Sequence, residues 1–445
     1  MVKLTRRNFA KFSLAGVAAL TVPQGSAMGG EGPAAPFLTG PAGRPAPLAP
    51  TKGQRAVVVG GGWSGLTLAK YLKKFSPALD VILIERKETF VSHPMSNLWL
   101  AGLIDLATLT HSFHDAARHN DYTYFNASVF DVDRQSRKVF TDKGTISYDF
   151  LILAPGIDYD YASFGVHDPR HENLLKSRYP AGFISGSEHI TLRNKINAFT
   201  GGVFVLTAPP GIYRCTATPY ERACLIASVF KRNKVKGKVV LIDPRSEPGV
   251  NAEGFLAAFK DLYGDVLEYM VSTEVKTVDP EQKTISNEFD NISFDDAAIY
   301  PRIRGARLIE TLGLMDPKSS QKEAAIDPFT YHVPGDKRVY VTGDSRPMPF
   351  SKSANVARTE GVYVAKVIAA RATGKEVPWE SPRSLCYSVV NAAPEEAIMI
   401  NTTYKLDPTS HEWGYAETHA LNQRTESLSR DGRAWARDHF RDMFS

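Results

Sequence analysis

The chain has only three cysteines in 445 residues, Cys215, Cys224 and Cys386, so at most one disulfide can form and core packing must hold the protein together. It has no Cys-x-x-Cys-His segment, which excludes covalent attachment of a c-type haem; any haem belongs to a partner. It has no strong excess of either charge. The formal net charge of +5, spread over so large a surface, gives no pointer to nucleic acid. Beyond the N-terminus it also lacks an uninterrupted apolar run of the roughly 20 residues a bilayer crossing requires, so no membrane span is expected in the mature chain.

The chain is longer than one hydrophobic core serves, and several domains are expected. At the N-terminus, Thr5-Arg6-Arg7-Asn8-Phe9-Ala10-Lys11 precedes a short apolar stretch from Phe12 to Val22 and the small residues Gly25-Ser26-Ala27. This pattern over 1–27 reads as a twin-arginine (Tat) export signal, with an amphipathic or anchoring helix as the alternative, and the expected location is the periplasm. Residues 28–50 are rich in Pro, Gly and Ala without periodicity and read as an extended linker.

Arg55 opens a buried-strand pattern, Ala56-Val57-Val58-Val59, that runs into Gly60-Gly61-Gly62-Trp63-Ser64-Gly65 and a helical stretch to about Phe75. Gly60, Gly62 and Gly65 thus form a GxGxxG in the strand, turn and helix setting that dinucleotide binding needs, against the alternative of a plain glycine-rich turn. The next strand, Val81 to Ile84, ends in Glu85, placed to accept hydrogen bonds from an adenosine ribose. A diphosphate belongs at the helix N-terminus, where free N–H groups and the helix dipole favour negative charge. Two further segments return to the same place. One is the strand from Tyr148 that closes on Ala154-Pro155-Gly156; the other is Arg338 to Val341, which delivers Thr342-Gly343-Asp344. Three returns to one site argue for a long ligand, FAD. In flavoenzymes of the glutathione-reductase type, which these segments resemble, the Gly-Asp pair binds the ribityl chain. The following helix, here from about Ser353, points its N-terminus at the flavin and stabilises the anionic reduced form. For Asp344 the alternative is a helix-capping or turn aspartate.

From about Phe164 to Asp327 a second βαβ pattern appears, with a helix near Ile190 to Phe199, strands at Val203 to Leu206 and Val239 to Ile242, and a helix from Glu221 to Lys231. Where a nicotinamide-binding domain needs glycines, this chain has Ala208-Pro209-Pro210-Gly211-Ile212-Tyr213-Arg214-Cys215, bulky and twice prolyl, so nicotinamide binding is not expected.

The run Arg214-Cys215-Thr216-Ala217-Thr218-Pro219-Tyr220-Glu221-Arg222-Ala223 resembles the flavoprotein subunit of flavocytochrome c sulfide dehydrogenase, a relative of sulfide:quinone oxidoreductase. The similarity extends through Ser96-Asn97, Pro347-Met348-Pro349, Ser353-Ala354-Asn355 and Cys386-Tyr387-Ser388, and covers essentially 54–445. It implies an α/β fold of two dinucleotide-binding-type domains, glutathione-reductase-like. The expected boundaries are an FAD domain in two parts (51–163 and 328–374), an inserted NAD-domain-like unit (164–327) and a C-terminal interface domain (375–445). It also implies electron transfer from a small donor through FAD to a c-type cytochrome subunit. In that family a cysteine at the position of Cys215 pairs with a second one just after the Gly-Asp motif. Here that segment reads Gly343-Asp344-Ser345-Arg346-Pro347, so that disulfide cannot form. The family's flavin-linking cysteine falls where this chain has His93, which excludes a cysteinyl-FAD.

The residues themselves leave alternatives. Cys215 reads as a thiolate nucleophile or flavin-adduct former, its pKa lowered by Arg214 and a helix N-terminus, or as an inert thiol. Glu221 reads as a general base for the donor, or as an ion-pair partner of Arg222 or a neighbouring base. His93 reads as a flavin attachment point, an acid or base, or a hydrogen-bonding neighbour of the ring. Cys224 and Cys386 read as packed thiols. The expected function is a periplasmic FAD-dependent oxidoreductase acting on a small donor, with reduced sulfur the leading donor class. A non-sulfur donor and a noncatalytic electron-relay subunit are the alternatives.

Overall fold

The computed structural model describes residues 43–51, 53–348 and 351–445; the export-signal reading over 1–27 and most of the linker over 28–50 lie outside the described residues. The Val-rich run forms strand β1 (Arg55–Val59), the glycine turn follows, and helix α1 spans Trp63–Phe75. Leu66, Ala69 and Leu72 repeat at helical spacing on α1, and all three are fully buried against the sheet. Strand β2 (Asp80–Glu85) pairs parallel with β1. A short helix α2 (Ser96–Leu100) precedes strand β3 (Thr123–Asn126), which pairs with β2, and strand β4 (Phe150–Leu153) pairs with the other side of β1.

The second unit begins with helix α3 (Ser187–Ala198) and strand β5 (Gly201–Thr207). Helix α4 (Thr218–Asn233) and strand β6 (Lys236–Ile242) follow, then β7 (Leu267–Met270) and β8 (Asp296–Ala298). These strands form a parallel sheet in the order β7-β6-β5-β8. The chain then returns to the first sheet through β9 (His332–Val333) and β10 (Asp336–Val341), completing the order β9-β10-β4-β1-β2-β3. Two doubly wound sheets joined in this way are the glutathione-reductase-like α/β architecture the motifs imply.

Helix α5 (Ala354–Ala372) starts one residue after Ser353, because the Ser353 hydroxyl accepts a hydrogen bond from the Val356 amide and caps it. Strands β11 (Arg383–Ala392), β12 (Glu395–Leu406) and β13 (Trp413–Thr425) form an antiparallel sheet, and helix α6 (Glu426–Phe444) closes the chain. Trp435 of α6 stacks on Trp63 at the start of α1, with ring centroids 5.7 Å apart, tying the C-terminal helix to the first βα unit. Among the described residues no helix is long and apolar enough to cross a membrane.

Candidate active site

The carboxyl ends of β1, β2, β4 and β10 open on a cleft of about 540 Å³, where open α/β sheets bind ligands. Gly60, Gly62, Glu85, Ala154, Gly156 and Asp344 all line it. Gly65 is required by packing, since a Cβ there would stand 1.8 Å from the Gly60 carbonyl oxygen. Gly62 serves access: a Cβ there would meet nothing within 4 Å, so its surface faces open space inside the cleft. Helix α1 begins at this point with no side chain capping it, leaving first-turn N–H groups for an anion. The Glu85 carboxylate is held at the rim by the amides of Gly61 (2.8 Å) and Lys87 (3.0 Å). Ser353 and Ala354, at the start of α5, border the far end. A cleft of this volume, with a close-approach glycine, an uncapped helix N-terminus and a rim carboxylate, fits FAD.

Asp344 lies in the cleft, but its carboxylate is not a simple cap: Oδ2 accepts a 2.6 Å hydrogen bond from Arg214 Nε. Arg214 also donates to the Phe183 carbonyl at 2.8 Å. The wall behind this pair is built by Lys352, which sequence reading did not single out. It is buried, donates to the carbonyls of Asp344 (2.9 Å) and Arg346 (2.8 Å), and pairs with Glu323 at 2.6 Å. The Lys352 carbonyl in turn accepts from the Cys215 amide at 2.9 Å, linking the Gly-Asp segment to the Arg-Cys loop.

Beside the cleft is a second, smaller chamber of about 80 Å³, lined by His93, Asn97, Cys215, Glu221, Cys386 and Val389 among others. His93, Pro94, Cys215, Ser353 and Ala354 border both spaces. Cys215 sits in the left-handed region at φ 54°, a position in which a non-glycine residue is strained. Its thiol is not the lowered one expected from Arg214 and the nearby helix start. Burial, and then the neighbouring Cys386, push it up to about 12, and Arg214, committed to Asp344, contributes least of the named influences. Cys215 is therefore a protonated thiol at neutral pH.

Glu221 is not the ion-pair partner of Arg222 that one reading allowed. Its carboxylate accepts from Asn97 Nδ2 (2.7 Å) and the Val389 amide (2.8 Å), while Arg222 donates to Asn97 Oδ1 (2.9 Å) and to the Ala181 and Gly182 carbonyls. Burial raises the Glu221 carboxyl to about 7 against those two hydrogen bonds. A carboxyl poised there exchanges protons at neutral pH.

His93 is buried, and both its ring nitrogens lack a hydrogen-bond partner among the described residues, as do those of His189, whose ring lies 5.7 Å away. Burial, then His189, hold the His93 imidazole well below its ordinary value, and burial takes His189 to about 3. The reading of His93 as an acid or base near neutrality is thus corrected: it is a neutral ring with unpaired nitrogens at the cleft edge, suited to hydrogen-bonding a ligand.

Cys224 is fully buried on α4, as expected of a packed thiol. Cys386 is not packed away: it is half-buried on β11, faces the chamber with Cys215, and has its thiol raised to about 11 by burial and then by Glu221. The error came from reading its apolar strand locally, whereas the chamber is made by bringing β11 against α4.

At the carboxyl end of the second sheet the polar side chains pair with one another. Asp243, at the end of β6, accepts from Tyr220 (2.6 Å), Tyr269 (2.9 Å) and Arg245 (2.9 Å). Arg245 also reaches across the Ala208-to-Cys215 loop to the Pro209 and Gly211 carbonyls.

Comparison with known proteins gives two family matches. Residues 190–301 match the central region of the sulfide dehydrogenase [flavocytochrome c] flavoprotein chain, and 54–173 match pyridine nucleotide-disulphide oxidoreductase. The sulfide dehydrogenase [flavocytochrome c] flavoprotein chain of Chlorobaculum thiosulfatiphilum is 52% identical over 44 residues, 10% of this chain and 92% of that one. A type II NADH:quinone oxidoreductase of Staphylococcus epidermidis is 30% identical over 136 residues, 28% of this chain; the match spans only 32% of that protein's length. The solved sulfide:quinone oxidoreductase of Aquifex aeolicus superposes with a TM-score of 0.70 at 15% identity, covering 88% of this chain and 91% of that structure, a likeness of fold.

Proposed function

Because the chain belongs to the flavoprotein-chain family of flavocytochrome c sulfide dehydrogenase, and is thus an FAD-dependent oxidoreductase, we propose that it oxidises a small reduced-sulfur donor in the 80 Å³ chamber. Its electrons then leave to a c-type cytochrome in the periplasm. The observation that carries this reading is the shared wall of the two spaces: Cys215, His93 and Ser353 border both the cleft that fits FAD and the chamber that holds Glu221. A space of about 80 Å³ suits a small donor. The periplasmic location rests on the twin-arginine pattern, and the cytochrome acceptor on the family and on the occupied second-sheet loop.

Bound FAD supplies the two-electron acceptor. The protein's own groups do the rest. Glu221, fixed by Asn97 and Val389, takes the donor's proton at neutral pH because its carboxyl is balanced near 7. The Arg214–Asp344 pair and Lys352 lock the loop that carries Cys215, so the thiol meets the donor at the chamber's border with the cleft. The neutral His93 offers a hydrogen bond at that border.

A donor that is not sulfur is the second reading, favoured by the Cys215 thiol being held protonated. Anaerobic addition of hydrosulfide to the yellow protein separates the two. The proposal expects the visible flavin bands to bleach, and Cys215→Ser to slow the bleaching, because the donor meets the thiol where chamber and cleft join. Bleaching that survives the substitution unchanged removes the thiol from the reaction, and no bleaching at all favours the non-sulfur donor.

A further inference from the structure

A groove of about 600 Å³ lies at the end of the first sheet opposite the flavin cleft, and its walls include Arg134, Arg137, Tyr148, Asp336, Lys337 and Arg338. It opens at the amino ends of β4 and β10, whose carboxyl ends serve the cleft, so a strand roughly 17 Å long separates the two spaces. Two tight turns build it. In the hairpin of Val129–Asp133 and Lys138–Thr141, the Asp133 carboxylate accepts from the amides of Gln135 and Ser136, both at 2.9 Å, and the turn closes at Arg137 with φ 55°. Between β9 and β10, Gly335 turns the chain at φ 79° and Asp336 accepts from the Arg338 amide at 3.1 Å. The turns thus present four cations to a space whose one lining carboxylate is Asp336. Among the described residues the side chains of Arg134, Lys337 and Arg338 have no ion pair and no hydrogen bond, and Arg137 reaches Asp149 only at 3.6 Å. Tyr148 is an independent sign of a ligand. It is 3% exposed, its amide donates to the Arg137 carbonyl at 3.1 Å, and its hydroxyl has no hydrogen-bond partner among the described residues. A buried hydroxyl left unpaired is costly, and this one stands in the wall of a cationic groove. Burial, and then Asp336, push its phenol up to about 12, so it remains a donor at neutral pH.

We propose that this groove binds a ligand carrying two linked phosphate groups, one held by Arg134 and Arg137 and the other by Lys337 and Arg338, with the Tyr148 hydroxyl donating to a phosphate oxygen. Guanidinium forks match phosphate oxygens in pairs, and a lysine ammonium adds a point charge. A single phosphate engages one turn and leaves the charge of the other unmet, whereas a linked pair satisfies both. The groove's volume suits a small ligand rather than a lone ion. A redox partner is the poorer occupant, because the flavin cleft lies at the far end of β10. Two sources offer the same chemistry: a soluble oligophosphate and a lipid headgroup with two phosphates. The site goes beyond the proposed function, since it uses neither the flavin nor the donor chamber.

The test uses the flavin-loaded protein, so that the diphosphate position at the start of α1 is already filled. Equilibrium dialysis with labelled inorganic pyrophosphate should show one site, weakened by added salt, and tighter for pyrophosphate than for phosphate or sulfate at equal ionic strength. Tyr148→Phe removes an oxygen that has no partner in the protein; it should weaken binding about tenfold, as loss of a hydrogen bond to a charged group does, while stability in urea falls no lower than wild type. The double variant Arg134→Ala, Lys337→Ala changes two exposed side chains and should abolish binding with flavin content unchanged. Phosphatidylcholine vesicles with and without cardiolipin identify the source. Sedimentation with cardiolipin vesicles alone, competed by pyrophosphate and lost in the double variant, assigns a lipid headgroup; pyrophosphate binding without vesicle binding assigns a soluble ligand. No binding of pyrophosphate, equal affinity for sulfate, or pyrophosphate binding undiminished in either variant would each overturn the site.

Discussion

Glu221→Gln tests the buried carboxyl with little change of shape. Burial lifts Glu221 from an ordinary value of 4.5 to about 7, despite hydrogen bonds from Asn97 and Val389. At about 1.4 kcal/mol per pKa unit, forcing charge onto the folded protein costs up to about 3 kcal/mol. The folded value lies above the unfolded one, so between them the folded state holds the extra proton. The acid form's contribution is therefore complete below about 4.5, declines as pH rises, and is gone above about 7. Glutamine does not titrate. It does turn an NH₂ toward the Asn97 amide, a cost that is constant across pH because Asn97 Oδ1 is committed to Arg222. Urea unfolding of wild type and variant, each at pH 4.5 and pH 8, isolates the pH-dependent part, since every other titrating group cancels in the difference. Wild type should lose up to about 3 kcal/mol relative to the variant over that range. A difference unchanged to within about 0.5 kcal/mol would mean that Glu221 stays ionised in the folded protein and is no base balanced near neutrality.

Gly65→Ala places a Cβ where the Gly60 carbonyl oxygen already lies 1.8 Å away, so the turn must shift; the purified protein should lose most of its flavin absorbance, and full retention would contradict the cradle geometry. Arg214→Met leaves the Asp344 carboxylate without its guanidinium in a largely buried site; destabilisation by about 3–5 kcal/mol in urea is expected, and a change below about 1 kcal/mol would show the pair to be solvated.

The parts of this protein that sequence reveals are those whose chemistry is local. The glycine turn and the acid ending the second strand lie within one βαβ stretch, where spacing fixes geometry, and the helix after Ser353 is started by its own capping hydroxyl. Cys215 and Glu221 lie six residues apart across a single helix start, and they share the chamber. Cys386 and Lys352 could not be read this way. Cys386 acquires its role only when an antiparallel strand from the C-terminal region meets α4, and Lys352 sits two residues past two undescribed positions, in a loop without period. Titration behaviour was misjudged for a different reason. An arginine next in sequence suggested a lowered thiol, but its guanidinium is turned away to Asp344, and burial decides the sign.

The central claim is that the small chamber bordering the flavin cleft at Cys215 receives the donor. Anaerobic stopped-flow reduction with hydrosulfide, methanethiol and glutathione at equal thiolate concentration measures it directly. Reduction should be fastest with hydrosulfide, slower with methanethiol and negligible with glutathione. Glutathione reducing the flavin as fast as hydrosulfide would contradict a donor site confined to this chamber.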